Sequence, residues 1–297
     1  MALSINVSRL AGLADAESPE GIFLEVRRTL PGILRDADAK RLSRVFSDVR
    51  RLFAGEYPGF RGCNTRYHDL EHTTDVFLAM ARLLRGAREE GILLDRRTVL
   101  IGLVAALLHD SGYIQREGDR AGTGAKYTAS HIRRSVAFAR EYLGARGYSA
   151  AEIAACCNAL LCTGLHTRIG RIRFGTEGGA LIGKMLGAAD LLGQMASRRY
   201  PEKLPHLHRE FLEGKIPVPR SEHRFLADTP RFHRSVLDRL SGELDGVHRY
   251  SRACFRAQRR IDRDLYLEAI GENVARIEAT LRHPARDRRA ARNGAAA

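Results

Sequence analysis

The chain has 297 residues, enough for one large domain or two small ones, and 44% of them are apolar, which excludes a disordered polymer. Its formal net charge of +14 comes mostly from arginine. That balance points toward polyanions such as nucleotides, nucleic acid or an anionic membrane surface, although an arginine-rich source genome would produce it as well.

No apolar run reaches membrane-spanning length, and the opening stretch MALSINVSRLAGLADAESPE has two acidic residues and no long apolar core, so it does not read as a targeting peptide. The five cysteines (Cys63, Cys156, Cys157, Cys162 and Cys254) form no CxxC pair. An odd count without a secretory signal predicts free thiols and a cytoplasmic location.

Helical periodicity dominates the chain. DADAKRLSRVFSDVRRLFAGEY spaces Leu42, Val45, Phe46, Val49 and Phe53 as one apolar stripe. HTTDVFLAMARLLRGAREEG repeats the pattern and stops at Gly91, with His68 and His72 expected on one helix face at its start. RRTVLIGLVAALLHDSGY is apolar nearly all round from Val99 to Leu108, as a helix buried on most sides requires, and should end near Ser111 and Gly112.

KYTASHIRRSVAFAREYLGARG offers Thr128 or Ser130 as a cap, and SAAEIAACCNALLCTGL opens with a Ser149–Glu152 capping box and carries Cys156 and Cys157 in an apolar run. TEGGALIGKMLGAADLLGQMASRRY, DTPRFHRSVLDRLSGEL and RDLYLEAIGENVARIEATLRH complete the predicted helices. Loops are expected near residues 56–66, 114–126, 167–176 and 214–222. His206 and His208 in LPHLHRE read as a surface loop. No convincing alternating strand occurs, which predicts an all-α, single-domain helical bundle. Residues 1–60 would form N-terminal helices packed on a main unit of 61–283, and 284–297 a disordered basic tail.

Three stretches carry candidate chemistry. RYHDLEHTTDV places His68 and His72 among Asp69, Glu71 and Asp75; LVAALLHDSGY ends the most apolar helix with His109 and Asp110; LIGKMLGAADLLGQMA sets Asp190 among apolar neighbours. A buried carboxylate needs a cation or hydrogen bonds to offset its desolvation. Each feature alone has a structural explanation, a helix cap or an arginine partner. One divalent metal would satisfy all of them, and imidazole with carboxylate suits Zn, Fe, Mn and, through the oxygens, Mg.

In order and in helical setting, from about Asn64 to Gln194, these residues resemble the HD superfamily of metal-dependent phosphohydrolases. RYHDLEH is similar to the Tyr-His-x-x-x-His start of cyclic nucleotide phosphodiesterases. The resemblance implies an all-helical fold with His72, His109, Asp110 and Asp190 as metal ligands, Asp110 able to bridge to a second metal, and His68 as the acid that protonates the leaving oxygen. It implies hydrolysis of a phosphodiester or nucleotide-like phosphoester. His131 and His166 match, in order, two further histidines of some members, where they ligate a second metal. Lys126 and Arg134 are candidate phosphate contacts, with exposed helix charge as the structural alternative.

Departures leave the substrate open. Asp69 stands where the phosphodiesterases usually have Asn, Gln258 is only a loose match for their purine-clamping glutamine, and no Gly-Tyr-Pro follows HDSGY. Two other readings stand beside hydrolysis: a di-iron oxygenase using His131 and His166, and a nucleic-acid-binding module with a structural metal. Against the second, aromatic and basic residues are not interleaved.

Overall fold

The computed structural model describes residues 18–282, so the predicted basic tail and most of the N-terminal stretch lie outside the described residues. Among these residues there are twelve α-helices, a few short 3-10 turns and no strand beyond one isolated bridge between Phe60 and Arg116. The all-α class is thus as expected. No helix is long and apolar enough to cross a membrane among the described residues.

The helices are α1 (Pro19–Thr29), α2 (Asp36–Ala54), α3 (Leu70–Glu89), α4 (Arg96–Leu108), α5 (His131–Gly144), α6 (Ala150–Leu161), α7 (Glu177–Ala196), α8 (Tyr200–Glu213), α9 (Glu222–Ala227), α10 (Thr229–Ser241), α11 (Tyr250–Arg259) and α12 (Leu265–Arg282). Helix α3 lies at the centre, packed on α1, α4, α7 and α11. From Val76 to Leu84 every one of its residues is buried. Helix α4 is buried without interruption from Val99 to Leu108, as its all-round apolar sequence demands. Ile22 and Val26 of α1 and Leu42, Val49 and Phe53 of α2 belong to the same continuous core as α3, α4, α7 and α12.

Local signals explain most boundaries. Asp69 caps α3 by accepting the His72 backbone N–H at 2.9 Å. The Ser149–Glu152 capping box forms at the start of α6, and Cys156 and Cys157 are buried there as free thiols. Two expectations need correction. Ser130 precedes α5 but does not cap it through its side chain; its hydroxyl instead donates to the Tyr127 carbonyl of a preceding 3-10 turn, Gly124–Tyr127. LPHLHRE is not a surface loop but part of α8, and His208 is buried, donating from Nε2 to the Pro219 carbonyl at 2.7 Å. The two prolines that obscure α8 both lie early in it: Pro201 falls where N–H groups have no helical partner, and Pro205 forfeits one bond.

The crossing of α3 and α7 depends on Gly193. A Cβ there would stand 2.9 Å from the Val76 nitrogen, so only glycine lets the two backbones approach this closely. That approach brings the preceding turn of α7, with Asp190, against the start of α3.

Asp75 is buried on α3, and burial together with the charge of Glu71 lifts its pKa from the usual 3.8 to about 8 against the opposing pull of Lys203. Between those two values the folded chain holds a proton that the unfolded chain has released. Folding therefore takes up a proton, and stability falls as pH rises through this window. We expect Asp75→Asn to gain on the wild type by up to about 1.4 kcal/mol per pH unit across it. Thermal melts of both proteins from pH 4 to pH 8 measure this, and parallel curves would refute it.

Candidate metal centre

The site is built from the start of α3, the end of α4 and the interior of α7. His72 is in the first turn of α3, its backbone fixed by the Asp69 cap. His109 follows the last residue of α4 and donates from Nδ1 to the Ala106 carbonyl at 2.9 Å, which turns Nε2 inward. There it meets His72 Nε2 at 3.2 Å and Asp110 Oδ2 at 3.3 Å. Asp110 Oδ2 is 3.4 Å from His72 Nε2, and Asp190 Oδ1 of α7 is 3.3 Å and 3.8 Å from the two histidine nitrogens. His72, His109 and Asp110 are 4%, 2% and 2% exposed, so these groups meet in the interior.

This donor set fits a metal ion. Asp110 Oδ2 is buried without a hydrogen-bond donor, although it points at two imidazole nitrogens. His109, having spent one N–H on a carbonyl, offers a lone pair to His72, which offers the same atom type back. Burial opposes positive charge on His109, yet Asp110 and Asp190 push its pKa up to about 9. Burial likewise opposes ionisation of Asp110, yet His109, His68 and His72 hold it well below the usual carboxylate range. The cluster calls for positive charge, and His72, His109 and Asp110 could hold it as a metal ion.

His68 lies just before the N-cap of α3 rather than within the helix, so it does not reach the site by sharing a helix face with His72. It is held from outside. Thr65 Oγ1 donates to its carbonyl at 2.6 Å, and its Nδ1 donates to Glu210 Oε2 of α8 at 2.6 Å. Glu210 Oε1 accepts the backbone N–H groups of Arg66 and Tyr67, each at 2.7 Å. Burial works against charge on both partners, but the mutual bond, the charges of Asp110 and Asp190 and the two N–H donors prevail. They raise the His68 pKa and lower that of Glu210. The Tyr113 ring stacks between His68 and His131 at 4.3 Å and 4.6 Å.

His131 reaches this stack because Gly112 has no side chain: a Cβ there would lie 2.0 Å from the His131 carbonyl. His131 Nδ1 donates to the Thr128 carbonyl at 2.6 Å, and burial holds its pKa below 6.5 as a neutral imidazole. His131 therefore lines the site but stands apart from the ligand cluster. His166 is exposed on the loop after α6 and is also outside that cluster. The two proposed phosphate contacts are otherwise engaged. Lys126 Nζ pairs with Asp119 Oδ1 at 2.5 Å. Arg134 donates to the carbonyls of Gly112 and Ile114 at 2.7 Å and 2.9 Å and lies over the Tyr127 ring, bracing the turn after Asp110.

Above the cluster opens a cavity of about 520 Å³ reached by His68, Asp110, His131, His166 and Asp190. Its far wall is apolar, with Leu204, Leu207, Phe211, Phe225 and Phe232 prominent, and among the described residues no lysine or arginine lines it. Glu210, Tyr113 and Gln194 were not anticipated as site residues. Gln194 lines the cavity and accepts the Tyr67 hydroxyl at 2.8 Å. A carboxylate at Glu210, on the inner face of an amphipathic helix, was the available signal, and the prolines of α8 hid that helix.

The chain matches no known family model and no curated protein.

Metal binding should register as stability. At free Mn²⁺ or Zn²⁺ one hundred times the dissociation constant, the folded state gains about 2.7 kcal/mol. A calorimetric melt should show that shift in the wild type and in Glu210→Gln, whose carboxylate contacts His68 and not the cluster. His72→Ala and Asp110→Asn should lose it, and a shift that survives in both would show that the metal sits elsewhere.

Proposed function

We propose that the protein is a metal-dependent phosphohydrolase of the HD type, acting on a phosphodiester or nucleotide-like phosphoester. The observation that carries this reading is the juxtaposition of the His72–His109–Asp110–Asp190 cluster with the His68–Glu210 pair at the base of one cavity. The four cluster residues would hold a divalent ion, with Mg, Mn, Zn and Fe all compatible with the donors. Such an ion would supply Lewis acidity to a phosphoryl oxygen and to the attacking water.

The chain's own groups complete the reaction. Glu210, locked by two backbone N–H donors, stays ionised and accepts a hydrogen bond from the Nδ1–H of His68. That leaves a protonated His68 with its Nε2–H as the mobile proton, facing the cavity. As the bond to the leaving ester oxygen breaks, Nε2 delivers this proton and the developing alkoxide leaves neutral. Tyr113, flat against the imidazole, keeps the ring from rotating away.

The apolar wall suits a flat, weakly polar group, such as a base, attached to the phosphoryl centre. A cavity lined by no lysine or arginine is poorly suited to a polyphosphate chain. The di-iron alternative requires His131 and His166 as ligands; both line the cavity, but neither joins the His72–His109–Asp110 group, and His166 is exposed.

Asp110→Ala should abolish metal-dependent hydrolysis of bis(p-nitrophenyl) phosphate while keeping the helical circular-dichroism spectrum. Turnover by the metal-loaded variant would overturn the reading. His68→Ala should lower kcat by about 10²–10⁴-fold on an ester whose leaving group is an alkoxide. The loss should be much smaller on a p-nitrophenyl ester, because p-nitrophenolate leaves without a proton. Equal losses on both would remove His68 from the role of acid.

A further inference from the structure

Beside the cavity, the loop between α6 and α7 forms a second concavity of about 640 Å³, walled by Asn158, His166, Arg168, Arg171 and Arg173. His166 lines both, so the groove borders the cavity above the His–Asp cluster at this residue.

Its charge is uncompensated. Many exposed arginines of this protein meet a carboxylate, as Arg50 does with Glu20 at 2.5 Å, Arg256 with Glu90 at 2.8 Å and Arg276 with Glu202 at 2.7 Å. Another arginine-lined groove, of about 600 Å³, contains Arg41, Arg44 and Arg146 but supplies its own Asp48, which takes Arg146 at 2.8 Å. Glu152 also stands 3.6 Å from Arg41. Among the described residues no carboxylate pairs with Arg168, Arg171 or Arg173, and none lines their groove.

The groove is also built in advance. Arg239 donates to the carbonyls of Cys162 and Gly164 at 3.2 Å and 2.8 Å. Glu243 accepts the Ile169 N–H at 3.0 Å, and Asn158 Nδ2 donates to the Arg173 carbonyl at 3.0 Å. Ile169 is buried beneath the loop. Three guanidinium groups are thus presented on a fixed backbone, the arrangement that recognises phosphate or carboxylate oxygens.

We propose that this groove binds a second anionic group, a phosphate or carboxylate, of the same substrate whose scissile ester lies at the cluster. The inference rests on the phosphoester reading and narrows it: the substrate carries an anion beyond the bond that is cut. The division of charge supports this. Among the described residues no lysine or arginine lines the cavity, so charge remote from the reacting phosphorus has to be met outside it, and these three arginines line the concavity that shares His166 with it.

The test compares the p-nitrophenyl ester of thymidine 5′-phosphate with the same ester bearing a 3′-phosphate. Both are assayed with Mn²⁺ on the wild type and on the triple variant Arg168→Ala, Arg171→Ala, Arg173→Ala. In the wild type the 3′-phosphate should lower KM about tenfold at similar kcat, as two or three charge-assisted contacts would. The triple variant should lose that advantage and leave the plain ester's kcat and KM unchanged. A 3′-phosphate that confers nothing on the wild type, or an advantage that persists in the triple variant, overturns the proposal. If the wild type cleaves neither ester, the catalytic reading fails by itself, and titration calorimetry with inorganic pyrophosphate then decides the groove. Heat of binding present in the wild type and absent from the triple variant supports an anion site, and absence from both overturns it.

Discussion

Two imidazoles and two carboxylates converge in the interior, and the surrounding helices are arranged around that convergence. Burying Asp110 and Asp190 beside each other's field is unfavourable unless positive charge joins them. His109 can supply it by taking a proton, and a divalent ion can supply it without one. The buried Asp110 Oδ2, with no ring N–H aimed at it, is a donor atom that such an ion would satisfy. Helix α3 contributes His72 at its first turn, α4 delivers His109 and Asp110 at its end, and α7 carries Asp190 only because Gly193 lets it press against α3. Each helix is apolar enough to be buried on several sides, and the Asp69 cap and the Ala106 carbonyl then fix His72 and His109 within that packing.

The second constraint is the attachment of His68. A histidine outside the helix has more freedom than one within it, and three contacts remove that freedom: Thr65 on its carbonyl, Glu210 on Nδ1 and Tyr113 on its face. Glu210 in turn is held by the backbone of Arg66 and Tyr67, the residues that precede His68. The loop and α8 thereby fix one another. The proton-donor role proposed for His68 requires aim to within a fraction of an ångström, and this closed set of bonds would supply it.

How much of this could be read from the sequence divides along physical lines. The helices with clean periodicity, α2 to α7, were legible, as were His72, His109, Asp110 and Asp190, because carboxylates and histidines inside apolar runs demand an explanation. Helix α8 was not, since Pro201 and Pro205 hide a stretch whose early turns tolerate them. With it went Glu210. Lys126 and Arg134 show a different limit. Spacing can place a cation near a site, but it cannot say whether Asp119 or the carbonyls of Gly112 and Ile114 already occupy it. The order of the histidines makes His166 a possible ligand, and its place at the border of the cavity and the arginine groove depends on how loop 162–173 is pinned from α10 and Glu243. That contact joins residues some 75 positions apart, which no local pattern records.

The net charge of +14 also takes on structure. Part of it is consumed in surface ion pairs, which in water contribute little to stability and mainly cancel fields. Part is inside, where Arg82 is 1% exposed and lies against the rings of Phe255 and Tyr266 rather than on a carboxylate. Arg168, Arg171 and Arg173, lining the concavity that borders the cavity at His166, have no carboxylate partner among the described residues. A field concentrated at the rim and absent from the wall draws an anionic molecule to the entrance and then favours entry of its least charged part. On the proposed reading, the apolar wall, the His–Asp cluster at its base and the cationic groove beside it would impose an order on the ligand: an apolar group in the cavity, the reacting phosphoryl group at the cluster, and further negative charge outside.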